Sequence, residues 1–437
     1  MKKTITLHLV FLLASVSVFG QWTSLGSGLP GRVKAITVFN GKIYAGGAFS
    51  TLKNVAVFNE ANSTWSIAGD GLSDSVTCLA VHGGSLYAGG YFKFNGSGDS
   101  LMYVAKLNAI NKWERVYTGF NNFLRCLYSD GTTLYAGGSF NNSPVSGGTV
   151  SRIAKLGTTG WTSVGNSASI SGTVAAITTF SSQLYAAGSF SGNLLARFNG
   201  ASWDIINLSS SIGGSEISAL APKGTKLYLG GNFNGTFMKG LAVFNGTSAA
   251  PPFTSLYDGT TQALLSTNFK IFGGGSFTKN TNQQNLRHFF SSSGTTPFDE
   301  VGGFNGDVLS LANQNGKIVV GGSFTTAGGA SATNIARSSA TIDVNEIEST
   351  VTEAVLYPNP VTESSTVHFS TVIPVKEAIL RIINVEGKTV SELLPLETGN
   401  PLRLEFLISR EGLPAGSYFY SLLGEGEALS NGKFIVE

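Results

Sequence analysis

Gly41-Lys42-Ile43-Tyr44-Ala45-Gly46-Gly47-Ala48-Phe49 decides the fold, because the chain writes this phrase repeatedly. A turn, an apolar pair, a glycine doublet, one variable residue and a phenylalanine recur at Ile43–Phe49, Leu86–Phe92, Leu134–Phe140, Leu184–Phe190, Leu227–Phe233, Ile271–Phe277 and Ile318–Phe324. Successive copies begin 43, 48, 50, 43, 44 and 47 residues apart. A period in that range marks a modular array whose units bury their apolar faces against one another.

Around each phrase the chain alternates apolar and polar residues with period two and turns on Gly or Asn, as at Asn40-Gly41, which predicts hairpins rather than helices. The second copy predicts four strands, at Val76–Val81, Leu86–Phe92, Tyr103–Leu107 and Trp113–Tyr117. Four short strands per period of about 45 residues describe a β-propeller blade. The fourth strand opens on an aromatic residue at Trp22, Trp65, Trp113, Trp161, Trp203, Phe253 and Phe298, which accounts for all 5 tryptophans. Trp22 precedes any doublet, whereas the last doublet, Gly321-Gly322, is followed by Asn334–Arg337 and no aromatic strand. The two ends are complementary. The expectation is therefore an all-β chain whose seven four-stranded blades form a ring closed by the N-terminal strand, leaving no open edge between the ends.

The glycines permit a bulge or a close backbone approach where wedge-shaped blades crowd together. None of the copies continues into Gly-Lys-Ser/Thr or opens a helix, so the doublet is not a phosphate loop.

Composition agrees. Glycine contributes 56 of 437 residues and charged residues only 12%, against usual shares of about 7% and about 25%. The net charge of +2 hides an asymmetry: Gln21–Asn345 holds 20 Lys+Arg against 13 Asp+Glu, and Glu346–Glu437 holds 6 against 13. The basic residues of the first part are scattered singly, so no nucleic-acid-binding stripe is predicted. Residues 1–20, with Lys2, Lys3 and the apolar run Leu9–Phe19, read as a secretory signal peptide. No later stretch is long and apolar enough to span a membrane. Cys78 and Cys126 align with Ala35, Ala176, Ala219 and Ser310 in the repeat, which predicts two small buried side chains rather than a disulfide.

The pattern resembles kelch-type propeller repeats, in which an apolar run ends in Gly-Gly and a Trp follows in the last strand. It is still more similar to the repeats of fungal cortical cell-polarity markers, with Tyr-x-Gly-Gly-x-Phe, an Asn-Ile-Ala-Arg third strand at Asn334–Arg337 and Trp-x-x-Leu-Gly at Trp22–Gly26. The resemblance covers nearly all of Gln21 to Arg337 and departs from the pattern at Ala187-Gly188. It specifies a fold, not an activity.

After a linker expected at 341–355 the vocabulary changes. Pro358-Asn359-Pro360, Gly387-Lys388-Thr389-Val390, Leu413-Pro414-Ala415-Gly416-Ser417-Tyr418 and the final Gly432-Lys433-Phe434-Ile435-Val436 read as strands with Pro and Gly turns, hence a small Ig-like β-sandwich over 356–437. These words, in this order, resemble the type A sorting domain of the Bacteroidetes type IX secretion system. That resemblance makes Pro358, Asn359, Pro360, Gly387, Lys388, Gly416, Tyr418 and Lys433 the sorting motif. It implies the secretion machinery as partner, export to the cell surface or medium, removal of the domain near Asp343–Val355, and then release or attachment to surface lipopolysaccharide.

Chemistry is sparse. His82, His288 and His368 are too dispersed to hold a metal, and no zinc or EF-hand motif occurs. No cofactor is expected. The acids nearest the inner strands are Asp74, Glu216 and Asp307, and Ser129–Thr133 reads as a hairpin turn rather than a sialidase Asp box. No catalytic residue is assigned. The loops joining second to third strands are long and polar: Lys93–Met102, Asn141–Thr149, Thr278–Gln284 and Thr325–Thr333. Rigid strands presenting such loops suit binding. The expected contacts on that face are Asn95, Asn121, Asn122, Phe123, Asn141, Asn142, Lys279, Gln283 and Gln284, and the expected ligand is a glycan or a surface protein. The alternatives are a polysaccharide-active enzyme with acids in the central channel, or a structural surface component.

Overall fold

The computed structural model describes residues 22–141, 143–145, 148–190, 193–208, 212–235, 238–251, 258–267, 270–278, 287–292, 303–339, 351–371, 374–375, 377–385, 388–424 and 427–437. Two compact units result, divided between Val344 and Asn345.

In the first unit the described strands form antiparallel sheets to one recipe. The first contains Arg32–Phe39, Lys42–Ala48, Val55–Asn59 and Thr64–Ile67, hydrogen-bonded in chain order. The same order recurs in sheets opening at Val76–His82, Leu124–Ser129, Thr173–Phe180, Glu216–Lys223 and Thr261–Ser266, the last with three described strands. A further sheet joins Asp307–Gln314, Lys317–Ser323 and Ile335–Ser338 to Trp22–Ser24. Its register sets Trp22 opposite Ser338 and Ser24 opposite Ala336. The N-terminal strand thus completes the last sheet, as the complementary ends predict. Each opening strand packs against that of the next sheet, and Asp307–Gln314 packs back on Arg32–Phe39, closing the ring.

The glycine doublet has a geometric cause. In each opening strand the register slips by one residue opposite the doublet: Val33 pairs with Gly47 and Ala35 with Gly46, leaving Lys34 as a bulge. A Cβ on Gly47 would fall on the Arg32 carbonyl oxygen, which the bulge brings inward. A Cβ on Gly46 would meet Val76 of the following sheet. One glycine admits the bulge and the other admits the neighbouring blade. Between Gly321 and Val33 the same contact spans the joint between last and first sheets.

Two further devices recur. Trp65, Trp113 and Trp203 each donate an indole N–H to a backbone carbonyl just beyond the fourth strand of the preceding sheet, at Leu25, Ala68 and Val164, over 2.8–2.9 Å. The residue before the third strand is left-handed at Asn54, Tyr103, Arg152, His288 and Asn334, and its N–H reaches the carbonyl of the phrase's phenylalanine. Asparagine suits that conformation; tyrosine, arginine and histidine hold it because both backbone groups are bonded there.

The fifth sheet corrects one expectation. Asn245 accepts from the backbone of Thr247 and Ser248, the same turn that Asn199 makes with Ala201 and Ser202. It therefore delivers Ala249, not Phe253, to the place opposite Phe244 that Trp203 holds opposite Phe198. Phe253 and Phe298 lie outside the described residues.

Described separately, the C-terminal unit is a sandwich of a three-stranded sheet (Val351–Tyr357, Ser364–Thr371, Arg403–Ser409) and a four-stranded one (Thr389–Leu393, Ile379–Asn384, Gly416–Gly424, Glu427–Val436). Val367, Phe369, Leu380, Ile382, Phe406, Leu422 and Phe434 fill its core. Its first strand begins at Val351, inside the stretch expected as linker. Residues 1–21 and 340–350 lie outside the described residues.

Candidate functional site

The bulges decide what lines the ring's axis. The residue displaced from the register is Lys34, Thr77, Arg125, Ala175, Ser218, Gln262 and Leu309 in successive sheets. All of them line one cavity of about 470 Å³, with Arg32, Tyr91, Glu216, Asn232 and Thr260 around them. The opening strands start here and the second strands end here, since Glu216 pairs with Asn232. The cavity therefore opens on the face that carries the long second-to-third-strand loops.

Its charges are arranged unevenly. Arg125 reaches from the third sheet to Glu216 of the fifth at 2.8 Å, and Arg32 lies 3.5 Å from Asp307. Among the described residues Lys34 has only a neutral partner within hydrogen-bond reach, donating to Ser75 Oγ at 3.0 Å. It sits 5.9 Å from the centre of the Tyr91 ring, a cation–π separation. Tyr91 is 38% exposed and stacks on Phe123 with centroids 4.4 Å apart. Burial, then the positive charges of Arg32 and Arg125, push the Lys34 ammonium below its ordinary 10.5, against the opposing pull of Asp74.

Several expected contacts belong to the scaffold. Asn95, 3% exposed, donates to Asp99 and to the Trp113 carbonyl and accepts from Ser97 and Asp99, so its amide knots its own loop. Asn121 exchanges hydrogen bonds with the Asn141 backbone, tying two loops together. Asn122 accepts from Phe123 N at 2.9 Å. Phe123 reaches the channel rim through its stack on Tyr91, and the Asn141 side chain is exposed. Asn142, Lys279, Gln283 and Gln284 lie outside the described residues. Asp74 accepts from Ser75 N at 2.5 Å. His82 bonds Ser129 Oγ at 2.9 Å, while His288 bonds the Gly275 carbonyl at 3.0 Å with Asp307 at 3.8 Å. His368 lies 3.0 Å from Glu405. Asp130 accepts from Thr132 and Thr133, as a hairpin turn requires. Both cysteines are free thiols, Cys78 buried and Cys126 partly so. Among the described residues no cluster of His, Cys, Asp or Glu could hold a metal.

Sequence reading missed the bulge residues, although their signal is regular. Each stands twelve positions before the first residue of its doublet, as 34 does before 46 and 309 before 321. Cys78 and Cys126 stand one residue beyond them.

In the C-terminal unit the motif residues hold the sandwich together. Asn359 Oδ1 accepts from Ile435 N at 3.0 Å, and Ser365 Oγ donates to the Pro358 carbonyl. Tyr418 Oη donates to the Pro414 carbonyl at 2.8 Å, and Lys388 N closes its hairpin on Asn384 Oδ1 at 2.9 Å. Pro360 precedes Val361, which bridges Val436, and Gly416 begins its strand opposite the same Val436. Lys388 and Lys433 are exposed. Gly387 lies outside the described residues.

Residues 355–437 match the family model described as secretion system C-terminal sorting domain. Residues 314–337 match a domain of unknown function (DUF5122) beta-propeller. No curated protein matches the sequence. Among solved structures the chain is similar to PorZ, a surface component of the type-IX secretion system of Porphyromonas gingivalis, at 12% identity and a TM-score of 0.49, covering 93% of this chain and 59% of that one. It is also similar to the WD40 beta propeller domain of Doa1, at 13% identity and a TM-score of 0.47 over 73% of this chain and 96% of that one. A computationally designed protein, Ika8, matches at 13% identity and 0.45 over 73% and 99%. The chain thus spans about three-fifths of the length of PorZ. No helix among the described residues is long and apolar enough to cross a membrane. The chain is an all-β protein, a β-propeller followed over residues 355–437 by a secretion system C-terminal sorting domain, and is accordingly secreted or held at the cell surface.

Proposed function

We propose that the chain leaves the cell in two steps and then works as a non-catalytic binding module. Residues 1–20 act as the signal peptide, and the C-terminal domain engages the type IX machinery. The seven-bladed ring then presents its long-loop face to a glycan or surface protein. One observation carries this reading: a polar cavity on the propeller axis, lined by the bulge residues, opens on the face where the variable loops cluster. An exposed tyrosine at its edge offers a stacking surface. Of the three acids nearest the inner strands, Glu216 is engaged by Arg125 and Asp307 by Arg32, and Asp74 accepts from Ser75 N. Screening the purified chain against an array of glycans and against outer-surface protein extracts tests the proposal. Binding that is lost when Tyr91 and Asn141 are both replaced by alanine supports it, whereas no binding to either panel overturns it.

A further inference from the structure

We infer that the axial cavity takes an acidic sugar, a pyranose bearing a carboxylate, with the anion held between Lys34 and Arg125. The inference rests on the binding role proposed above and names its ligand class.

The argument starts from the charges. Three cationic side chains, Arg32, Lys34 and Arg125, line one cavity of about 470 Å³. Glu216 answers Arg125 and Asp307 answers Arg32. Lys34 has the Ser75 hydroxyl instead, and its proton is disfavoured by burial and by the two guanidiniums. A half-buried ammonium beside two guanidiniums is an arrangement that an incoming anion stabilises, because Glu216 is drawn to Arg125 and Asp74 acts on Lys34 without a hydrogen bond between them among the described residues, so the anion can pair with the ammonium directly. The free edge of the Arg125 guanidinium can join it, since that group carries five N–H donors.

Neighbouring groups then narrow the anion to a sugar. Tyr91 lies beside Lys34 with its ring partly exposed, a surface on which a pyranose can stack. Gln262 adds a side-chain amide to the cavity wall. Ser218 and Asn232 add groups that donate and accept. Such a mixture suits polyhydroxylated rings better than phosphate alone. The volume falls within the usual range of small-molecule sites, about 300–1,000 Å³.

The test uses the full chain and calorimetric titration with a digalacturonate, with the same disaccharide carboxyl-reduced to neutral galactose units, and with acetate. The expected result is binding of the diuronate alone, at least tenfold weaker in Lys34→Met, retained in Lys34→Arg, and unchanged in Lys226→Gln at the opposite end of the ring. Raising the salt from about 50 mM to about 500 mM should weaken it severalfold. Equal affinity for acidic and neutral disaccharides, or full affinity in Lys34→Met, overturns this inference and leaves the general binding role standing. Failure of every array glycan and every surface protein overturns both. Lys34→Arg guards against a folding artefact, since it keeps the charge and the bulk.

Discussion

Replacing Gly321 with alanine probes the joint that closes the ring. The added methyl would stand 2.5 Å from Val33 Cγ1 and 2.7 Å from both Ile36 Cδ1 and Ser310 Oγ, where carbon atoms settle at about 3.5–4.0 Å. Val33 and Ile36 lie on the first sheet and Val33 is fully buried, so relief requires those two side chains to give way across the joint and Ser310 to turn within the last sheet. Overpacking of this kind costs about 1–3 kcal/mol. Against it stands about 0.4–1 kcal/mol gained by restricting the unfolded chain, which leaves a net loss centred on about 1 kcal/mol and reaching at most about 2.6 kcal/mol. For a unit of this size that lowers the melting temperature by roughly 1–2 °C, reaching about 4 °C at the upper limit. All 5 tryptophans lie before residue 340, so urea unfolding followed by tryptophan fluorescence reports on the propeller and not on the sorting domain. Gly157→Ala is the control, its methyl meeting only Gly160 O at 3.3 Å. The corresponding position of the fourth sheet already carries a methyl, Ala187, in a cluster with Leu195 and Ile217, and Ala187→Gly should cost about 1 kcal/mol. A Gly321→Ala protein as stable as the parent would refute both the packing argument and the closure it describes.

Three further outcomes are expected. Trp113→Phe removes the indole donor from the Ala68 carbonyl, which Gly71 N still reaches at 3.2 Å, whereas Trp161 Nε1 already lacks an acceptor among the described residues; Trp113→Phe should therefore destabilise by about 0.5–1.5 kcal/mol more than Trp161→Phe in urea melts, and equal losses would count against the indole belt. Because the Lys34 pKa is lowered on folding, the unfolded chain binds that proton more tightly, and stability rises with pH between the lowered folded value and 10.5. Parent and Lys34→Met midpoints compared from about pH 8 to about pH 11 should reveal this gain in the parent alone, and a constant difference contradicts it. Burial pushes the Cys78 thiol up to about 12, so in a Cys126→Ser background an aromatic disulfide reagent at about pH 8 should label the chain only after denaturant is added. Rapid labelling of the folded protein would place Cys78 at the surface.

Much of the molecule is written locally. The phrase ending in Phe49, Phe92 and their equivalents forces hairpins because alternating apolar residues and paired turns admit little else. The aromatic fourth strand reveals closure because Trp22 precedes the first doublet and no aromatic strand follows the last. The fifth sheet's fourth strand was not legible, because an Asx turn at Asn245 sets Ala249 opposite Phe244 where the repeat predicts an aromatic residue. Loop asparagines were legible as loop residues but not as scaffold, since whether Asn95 faces solvent or knots its own turn depends on where Asp99 and the Trp113 carbonyl come to rest.

By itself, the sequence determines the repeat, the closure of the ring and the sorting domain, because turn chemistry, two-residue periodicity and motif order are properties of neighbours along the chain. Only the tertiary structure decides what faces the axis. Lys34, Arg125 and Glu216 are far apart in the chain and unremarkable in their own strands. They meet because bulges opposite glycine doublets turn one residue per opening strand inward, and because closing the ring brings those residues around one cavity. Their charges acquire meaning from distances across the axis, and those distances exist only once every sheet is in place.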